Sequence, residues 1–211
     1  MSQDLPDSGD YNRDQLNTLE GIREAFRKLG PSKIMRLQTI ITPYQAFRRD
    51  LDHYHHQYFA ALCVKTCFQT GLSACCGFES IITFFADHVI NFLLSSGEDI
   101  MSLFRALERP NESGKCVYLG ETGCLFRMRP ISCAMFFCEQ AKRTIFEEHD
   151  EAESSLKTFK EEEKGYTWPT TPVLFDEIEK YFIRLGVKSA HLYFHQSPGL
   201  LMLKARHGIG R

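Results

Sequence analysis

All eight cysteines of the 211-residue chain lie between Cys63 and Cys138, in the order Cys63, Cys67, Cys75-Cys76, Cys116, Cys124, Cys133 and Cys138. A fold for this chain must account for that crowding. Thiolates are the softest ligands a protein owns, and they hold zinc or iron only in company. Clustered thiols with none elsewhere therefore point to a metal or iron–sulfur site.

The compartment expected from the sequence supports metal over disulfides. The start, Met1-Ser-Gln-Asp-Leu-Pro-Asp-Ser-Gly-Asp10, is acidic and polar, without the basic stretch and apolar run of a secretory signal. We expect a cytoplasmic protein, where reduced thiols are the rule and an even cysteine count carries no bridges. The longest apolar stretch, from Phe78 to Leu94, is interrupted by Glu79, Asp87, His88 and Asn91, so no membrane span is expected. The formal charge of -2 gives no case for a nucleic-acid surface.

With 43% hydrophobic residues and 17 Phe the chain has enough apolar mass for a core. We expect a mainly α fold: a disordered tail over residues 1–11, then a single domain over 12–211 whose cysteine-cluster core occupies about 63–138, with the cysteine-bearing loops gathered on one metal site. Asn12 caps a predicted helix that runs to Gly30 and stops at Pro31. Thr42-Pro43 reads as a second start, an N-cap with proline at the first helical position. Along that helix Phe47, Leu51, Tyr54, Tyr58 and Leu62 share one face, and His53, His56, Ala60 and Cys63 the other.

Further helices are predicted from Phe78 to about Leu94, over Glu98–Glu108, from Cys133 toward Lys164, and from Thr171-Pro172 to Gly186. Asn111–Gly123 is loop, with Val117-Tyr118-Leu119 as a short strand and Gly120-Glu-Thr-Gly123 as a turn. At the C-terminus, His191–His195 and Leu200–Leu203, separated by Gln-Ser-Pro-Gly, read as a short β-hairpin.

A tetrahedral site takes close ligand pairs from separate segments. Cys63-x3-Cys67 and Cys75-Cys76 make an upstream half, and Cys116-x7-Cys124 and Cys133-x4-Cys138 a downstream half. An iron–sulfur cluster would draw on the same thiolates, and the spacing leaves open which four. Position 70 is Thr, so the Cys-x3-Cys-x2-Cys signature of radical S-adenosylmethionine enzymes is absent. The adjacent Cys75 and Cys76 are poor partners for one ion and suit two metals or two roles. Lys115, Arg127 and Arg129 lie in the same loops and are candidates to balance thiolate charge.

The run Cys124-Leu-Phe-Arg-Met-Arg129-Pro130-Ile-Ser-Cys133-Ala-Met-Phe136-Phe-Cys138, preceded by Cys63, Cys67, Cys75-Cys76 and Cys116, resembles the YkgJ-type cysteine-cluster family, described as a zinc- or iron-chelating domain. Arg129-Pro130-x2-Cys133 is the most specific element. The upstream half is expanded, to x3 and x7 spacings, and in this is similar to flagellin lysine methylases. The resemblance implies a metal-binding protein using all eight cysteines, with an iron–sulfur cluster or zinc, and a redox or S-adenosylmethionine-linked activity on a small molecule or protein. The alternative is a structural zinc module that serves protein–protein contact.

Other features have plainer readings. Inert buried thiols are the alternative for the cysteines themselves. The Asp52-His53-Tyr54-His55-His56 run reads as a solvated face before it reads as nitrogen ligands, and His191, His195 and His207 as structural. No Walker loop, dinucleotide fingerprint, nucleophile elbow or His-Glu-x-x-His occurs, so phosphate chemistry and serine hydrolysis lack support.

Overall fold

The computed structural model of the chain describes residues 8–77, 82–109 and 114–209. It is mainly helical. Helix α1 (Ser8–Lys28) and helix α2 (Pro31–Tyr54) meet at Gly30-Pro31, where proline at the first position of α2 sets the turn. Helix α1 starts four residues before Asn12; the rest of the expected tail, 1–7, lies outside the described residues.

The predicted start at Thr42-Pro43 is corrected: α2 runs straight through Pro43. Leu37, Ile41, Tyr44, Phe47 and Leu51 are buried on one continuous stripe across the proline, and that packing outweighs the missing backbone bond. Thr39, whose carbonyl the proline deprives of a donor, is exposed to solvent.

Beyond Tyr54 the helix changes pitch. A π turn at His55–Phe59, helix α3 (Ala60–Cys63) and a second π turn at Val64–Phe68 continue its course. The extra residue in the wider turn shifts the phase, so Phe59 is fully buried while Tyr58 and Leu62, expected on the core face, are only half-buried. A 3₁₀ turn at Ala74–Cys76 follows.

Helix α4 (Phe85–Leu94) crosses the centre and packs on α1, α2 and α9 (Leu174–Arg184); the expected residues 78–81 lie outside the described residues. Helix α5 (Gly97–Leu107) is capped by Ser96, whose hydroxyl accepts the Asp99 N–H at 3.1 Å. A two-residue hairpin then pairs β1 (Leu119–Gly120) with β2 (Gly123–Cys124), Leu119 opposite Cys124. The helix predicted from Cys133 is divided into α6 (Ile131–Ala134), α7 (Glu139–Glu148) and α8 (Asp150–Thr167).

The predicted C-terminal β-hairpin is absent. Ala190–Tyr193 forms a 3₁₀ turn and Pro198–Arg206 forms α10. Ser189 Oγ accepts the His191 N–H at 3.0 Å and starts the turn; Ser197-Pro198 is a helix start rather than a hairpin bend. Leu200 and Lys204, one helical turn apart, are the buried residues of α10.

Two apolar clusters result. The larger joins α1, α2, α4, α6, α8, α9 and α10 around Ile22, Leu51, Phe59, Phe85, Ile131, Phe182 and Leu200. The smaller, with Leu19, Leu103, Phe104, Tyr118 and Phe126, seats the hairpin on α1 and α5. Among the described residues no helix is long and apolar enough to cross a membrane.

Candidate metal centre

The cysteines arrive on four segments, and buried polar side chains hold one of those segments from beneath. Asn91 Oδ1 accepts the Met128 N–H at 3.0 Å while its Nδ2 donates to the Met128 carbonyl at 2.9 Å. Arg48, 1% exposed, donates to the Arg129 carbonyl at 2.8 Å and to the Tyr44 hydroxyl at 3.0 Å. Asp87 accepts the Phe84 N–H at 3.0 Å through Oδ2, starting α4, and the Ile131 N–H at 3.1 Å through Oδ1, starting α6. Three core residues thus grip the backbone of Met128, Arg129 and Ile131, around the Arg129-Pro130 motif. In sequence Asp87 and Asn91 are marked only as interruptions of an apolar run; a polar residue there, if buried, must find a partner.

Burial raises the Asp87 carboxyl to about 6, against the opposing pull of its two backbone donors and of Arg48. The carboxyl is held for hydrogen bonding rather than exposed chemistry.

The upstream segment wraps around its own sulfur. Cys67 Sγ accepts the Ala74 N–H at 3.3 Å, and the Cys67 carbonyl accepts the Ser73 N–H at 3.0 Å. Ser73 adopts a left-handed backbone, φ 35°, unique among the described non-glycine residues. Such strain persists only where the surroundings impose it. Cys116 N–H donates to the Cys76 carbonyl at 2.7 Å, Lys115 donates to the Leu72 carbonyl, and Gly77 bridges Lys115, so the upstream and hairpin segments are stitched edge to edge.

Further amides point at sulfur. Cys138 Sγ accepts the Ala141 N–H at 3.4 Å at the start of α7. The Cys116 thiol receives the backbone of Tyr118 and Leu119, and the Cys124 thiol that of Phe126. Backbone donors of this kind favour the thiolate over the thiol.

All eight cysteines are free, and none is buried: Cys75, Cys124 and Cys138 are exposed, the other five half-exposed. Unligated cysteine is ordinarily among the most buried of residues, so a reading of inert core thiols does not describe this set.

Desolvation raises Cys63, Cys116 (to about 12), Cys124 and Cys133 (to about 11). Neighbouring thiols add to this. Cys63 feels Cys138, Cys75 and Cys67; Cys116 feels Cys124 and Cys133; Cys133 feels Cys124. At the vicinal pair the Cys76 thiol donates to Cys75, which lowers Cys75 and raises Cys76, and Cys76 also feels Cys116 and Cys124. Arg129 opposes these effects: its charge favours the thiolates of Cys63, Cys75, Cys124 and Cys133. Asp52, 3.5 Å away, holds the guanidinium. Lys115 likewise favours the Cys75 thiolate, whereas the charge of Arg127 acts on Asp99 at the start of α5.

Of the histidine run, His55 reaches this region, because the π turn rotates it inward. Its Nε2 donates to the Ala134 carbonyl at 3.0 Å and its ring stacks on Phe137 at 4.4 Å. Burial, with Arg129 nearby, lowers His55 to about 4. His53 and His56 are exposed.

Gathering is not closure. Among the described residues no three Cys, His, Asp or Glu side chains form a group that could hold a metal ion. The donor chemistry, eight free thiols with amides and a guanidinium directed at several of them, fits a thiophilic metal or cluster. No family model, curated protein or solved structure matches the chain.

Proposed function

We propose that the chain is a metal-binding protein of the cysteine-cluster type, holding an iron–sulfur cluster or zinc through the thiolates of its eight cysteines. One observation carries the reading: eight free cysteines from four segments, none a buried residue, lie within electrostatic reach of one another, and four of them, Cys63, Cys75, Cys124 and Cys133, within reach of Arg129. Unligated, such a patch would be an oxidation hazard; ligated, it is a site.

When bound, an iron–sulfur cluster supplies electron transfer or substrate activation, and zinc supplies a staple or a Lewis acid. The chain's own residues then have defined work. Arg129 offsets thiolate charge, the amides of Ala74 and Ala141 donate to sulfur, and Asn91, Arg48 and Asp87 fix the segment that carries Cys133. The resemblance to flagellin lysine methylases extends the proposal to a redox or S-adenosylmethionine-linked enzyme acting on a small molecule or protein.

A second reading, a structural zinc module for protein contact, draws on exposed Val64, Phe68, Leu72 and Phe136, which lie between the cysteines in sequence. Anaerobic purification separates the two. Brown protein with stoichiometric iron and sulfide supports the cluster, colourless protein with tightly held zinc supports the module, and protein with neither metal ends both.

A further inference from the structure

We infer that His88 and His191 form an acid-responsive latch beneath the hairpin segment that carries Cys116 and Cys124: a proton taken up by the pair reverses the Gln15 amide, withdraws the partner of Tyr118 and loosens the hairpin. The latch stands apart from the metal-binding reading; only its effect on a bound ion rests on that reading.

One donor order runs through this buried network. Thr18 Oγ1 donates to the Asp14 carbonyl at 2.8 Å, so it accepts from His191 Nδ1 at 2.9 Å and from Ser189 Oγ at 2.6 Å. His191 Nε2 then accepts from Gln15 Nε2 at 2.7 Å, whose other proton goes to Thr83 Oγ1 at 2.8 Å, and Tyr118 donates its hydroxyl proton to Gln15 Oε1 at 2.8 Å. Gln15, Thr18, Thr83 and Tyr118 are all buried, so bulk solvent does not replace a lost partner.

A second proton on His191 sets its Nε2–H against the Gln15 N–H. Turning the Gln15 amide over offers Nε2–H the amide oxygen, but it presents the amide nitrogen to Tyr118, whose hydroxyl proton then loses its acceptor in a buried position. Tyr118 anchors the hairpin. Its ring packs on Phe126 at 4.5 Å, its carbonyl accepts the Leu125 N–H at 2.9 Å, and it lies in the smaller core cluster with Leu19 and Phe104. The cost of the proton is thus delivered to the segment between Cys116 and Cys124.

His88 reinforces the latch. It is fully buried on α4, its ring 5.5 Å from those of His191 and Phe126, and neither ring nitrogen meets a hydrogen-bond partner among the described residues. A charge there is uncompensated and repels one on His191. No carboxylate acts on either ring. From α1 the pair is faced by Gln15 and Thr18, with Asp14 offering its carbonyl; on α4, Asp87 is turned to the Phe84 and Ile131 N–H groups; the hairpin presents Tyr118, and Lys188, beside Ser189, is exposed. Burial keeps both rings neutral at pH 7, so the closed state loses stability as pH falls from 6.5 toward 4.

Amide hydrogen exchange of the full chain, purified anaerobically and followed between pH 7 and 4.5 with intrinsic rates divided out, tests the latch. In the wild type the hairpin amides of Leu119 and Leu125 are expected to exchange about tenfold or more faster at pH 5 than at pH 7, relative to the amides of α2. His191→Gln and His88→Leu are each expected to reduce that dependence, and Tyr118→Phe, which has no hydroxyl proton to strand, to reduce it with both histidines in place. A wild-type hairpin that keeps pace with α2 across the range overturns the latch without recourse to any variant, and so does a dependence unchanged in His191→Gln or in Tyr118→Phe. Wild type and variants carry the same thiols, so either failure leaves the metal-binding reading standing. Protein purified with neither zinc nor iron ends that reading and leaves the latch.

Discussion

Asn91 grips Met128 by both edges of its amide, accepting the backbone N–H at 3.0 Å and donating to the carbonyl at 2.9 Å. A single buried side chain on α4 thereby does what a neighbouring strand would do. It leaves Arg129 next in line to Arg48, and Ile131 to Asp87.

Asn91→Leu keeps the branched shape and removes the grip. Two backbone groups lose their partners in a region that is 1% exposed at Asn91, so a loss of about 2–4 kcal/mol is expected in denaturant titration. Metal content should fall as well, since the Cys133 segment is released. An unchanged unfolding midpoint would show that Met128 finds other partners.

Arg129 is expected to tune metal retention rather than stability. Its side chain is 36% exposed, and its pairing with Asp52 at 3.5 Å contributes little to folding. Arg129→Gln removes the positive charge from four thiolates, and chelator competition should show metal held about tenfold or more weakly. Arg129→Lys should recover much of this. Equal retention in all three proteins would remove Arg129 from the charge balance.

His191 makes stability depend on pH. Gln15 donates its amide to Thr83 at 2.8 Å and faces His191 Nε2 at 2.7 Å, while Tyr118 donates to Gln15 Oε1 at 2.8 Å. The Gln15 orientation thus makes Nε2 the acceptor and puts the proton on Nδ1, facing Thr18 at 2.9 Å. Burial lowers His191 from 6.5 to about 4, and His88, fully buried with its ring centroid 5.5 Å away, is likewise held well below the usual imidazole range by burial and by His191.

The folded state therefore binds fewer protons than the unfolded one between about pH 6.5 and 4, and stability is lost as pH falls through that window. Asp87, raised from 3.8 to about 6, acts oppositely between those values. The difference in unfolding free energy between wild type and His191→Gln should shrink by on the order of 3 kcal/mol as pH falls from 6.5 to 4. A difference that stays constant across this range would exclude His191 as the source.

Lys204 and Glu179 lock the C-terminal helix. Lys204, 5% exposed, pairs with the fully buried Glu179 at 3.2 Å and donates to the Leu192 and His195 carbonyls. Burial raises the Glu179 carboxyl and Lys204 pulls it back. Lys204→Met strands the carboxylate, with an expected loss of about 3–5 kcal/mol, and Glu179→Gln added to it should restore part of that. Equal stability of the single and double variants would show that the pair is not coupled.

The legible part of the candidate site was its donor list. Eight cysteines in one window, with Arg129-Pro130-x2-Cys133 among them, can be read from the chain because ligand type and spacing are local properties. The π turns were not legible. The helical face predicted through Tyr58 and Leu62 assumed a constant pitch, and the inserted residue that buries Phe59 and turns His55 toward Phe137 leaves no mark in periodicity. Nor was the C-terminus, where two short apolar runs around a Gln-Ser-Pro-Gly turn resembled strands until Lys204 found Glu179 across α9 and α10.

Sequence alone determined a mainly helical chain with thiols crowded into its middle, since apolar period and residue chemistry are carried by near neighbours. Tertiary structure decided which polar residues serve the site: Asp87 and Asn91 look like flaws in an apolar stretch, and Arg48 like one more surface charge, until Ile131, Met128 and Arg129 arrive from distant parts of the chain. A buried polar group is intelligible only through its partner, and that partner is chosen by the fold.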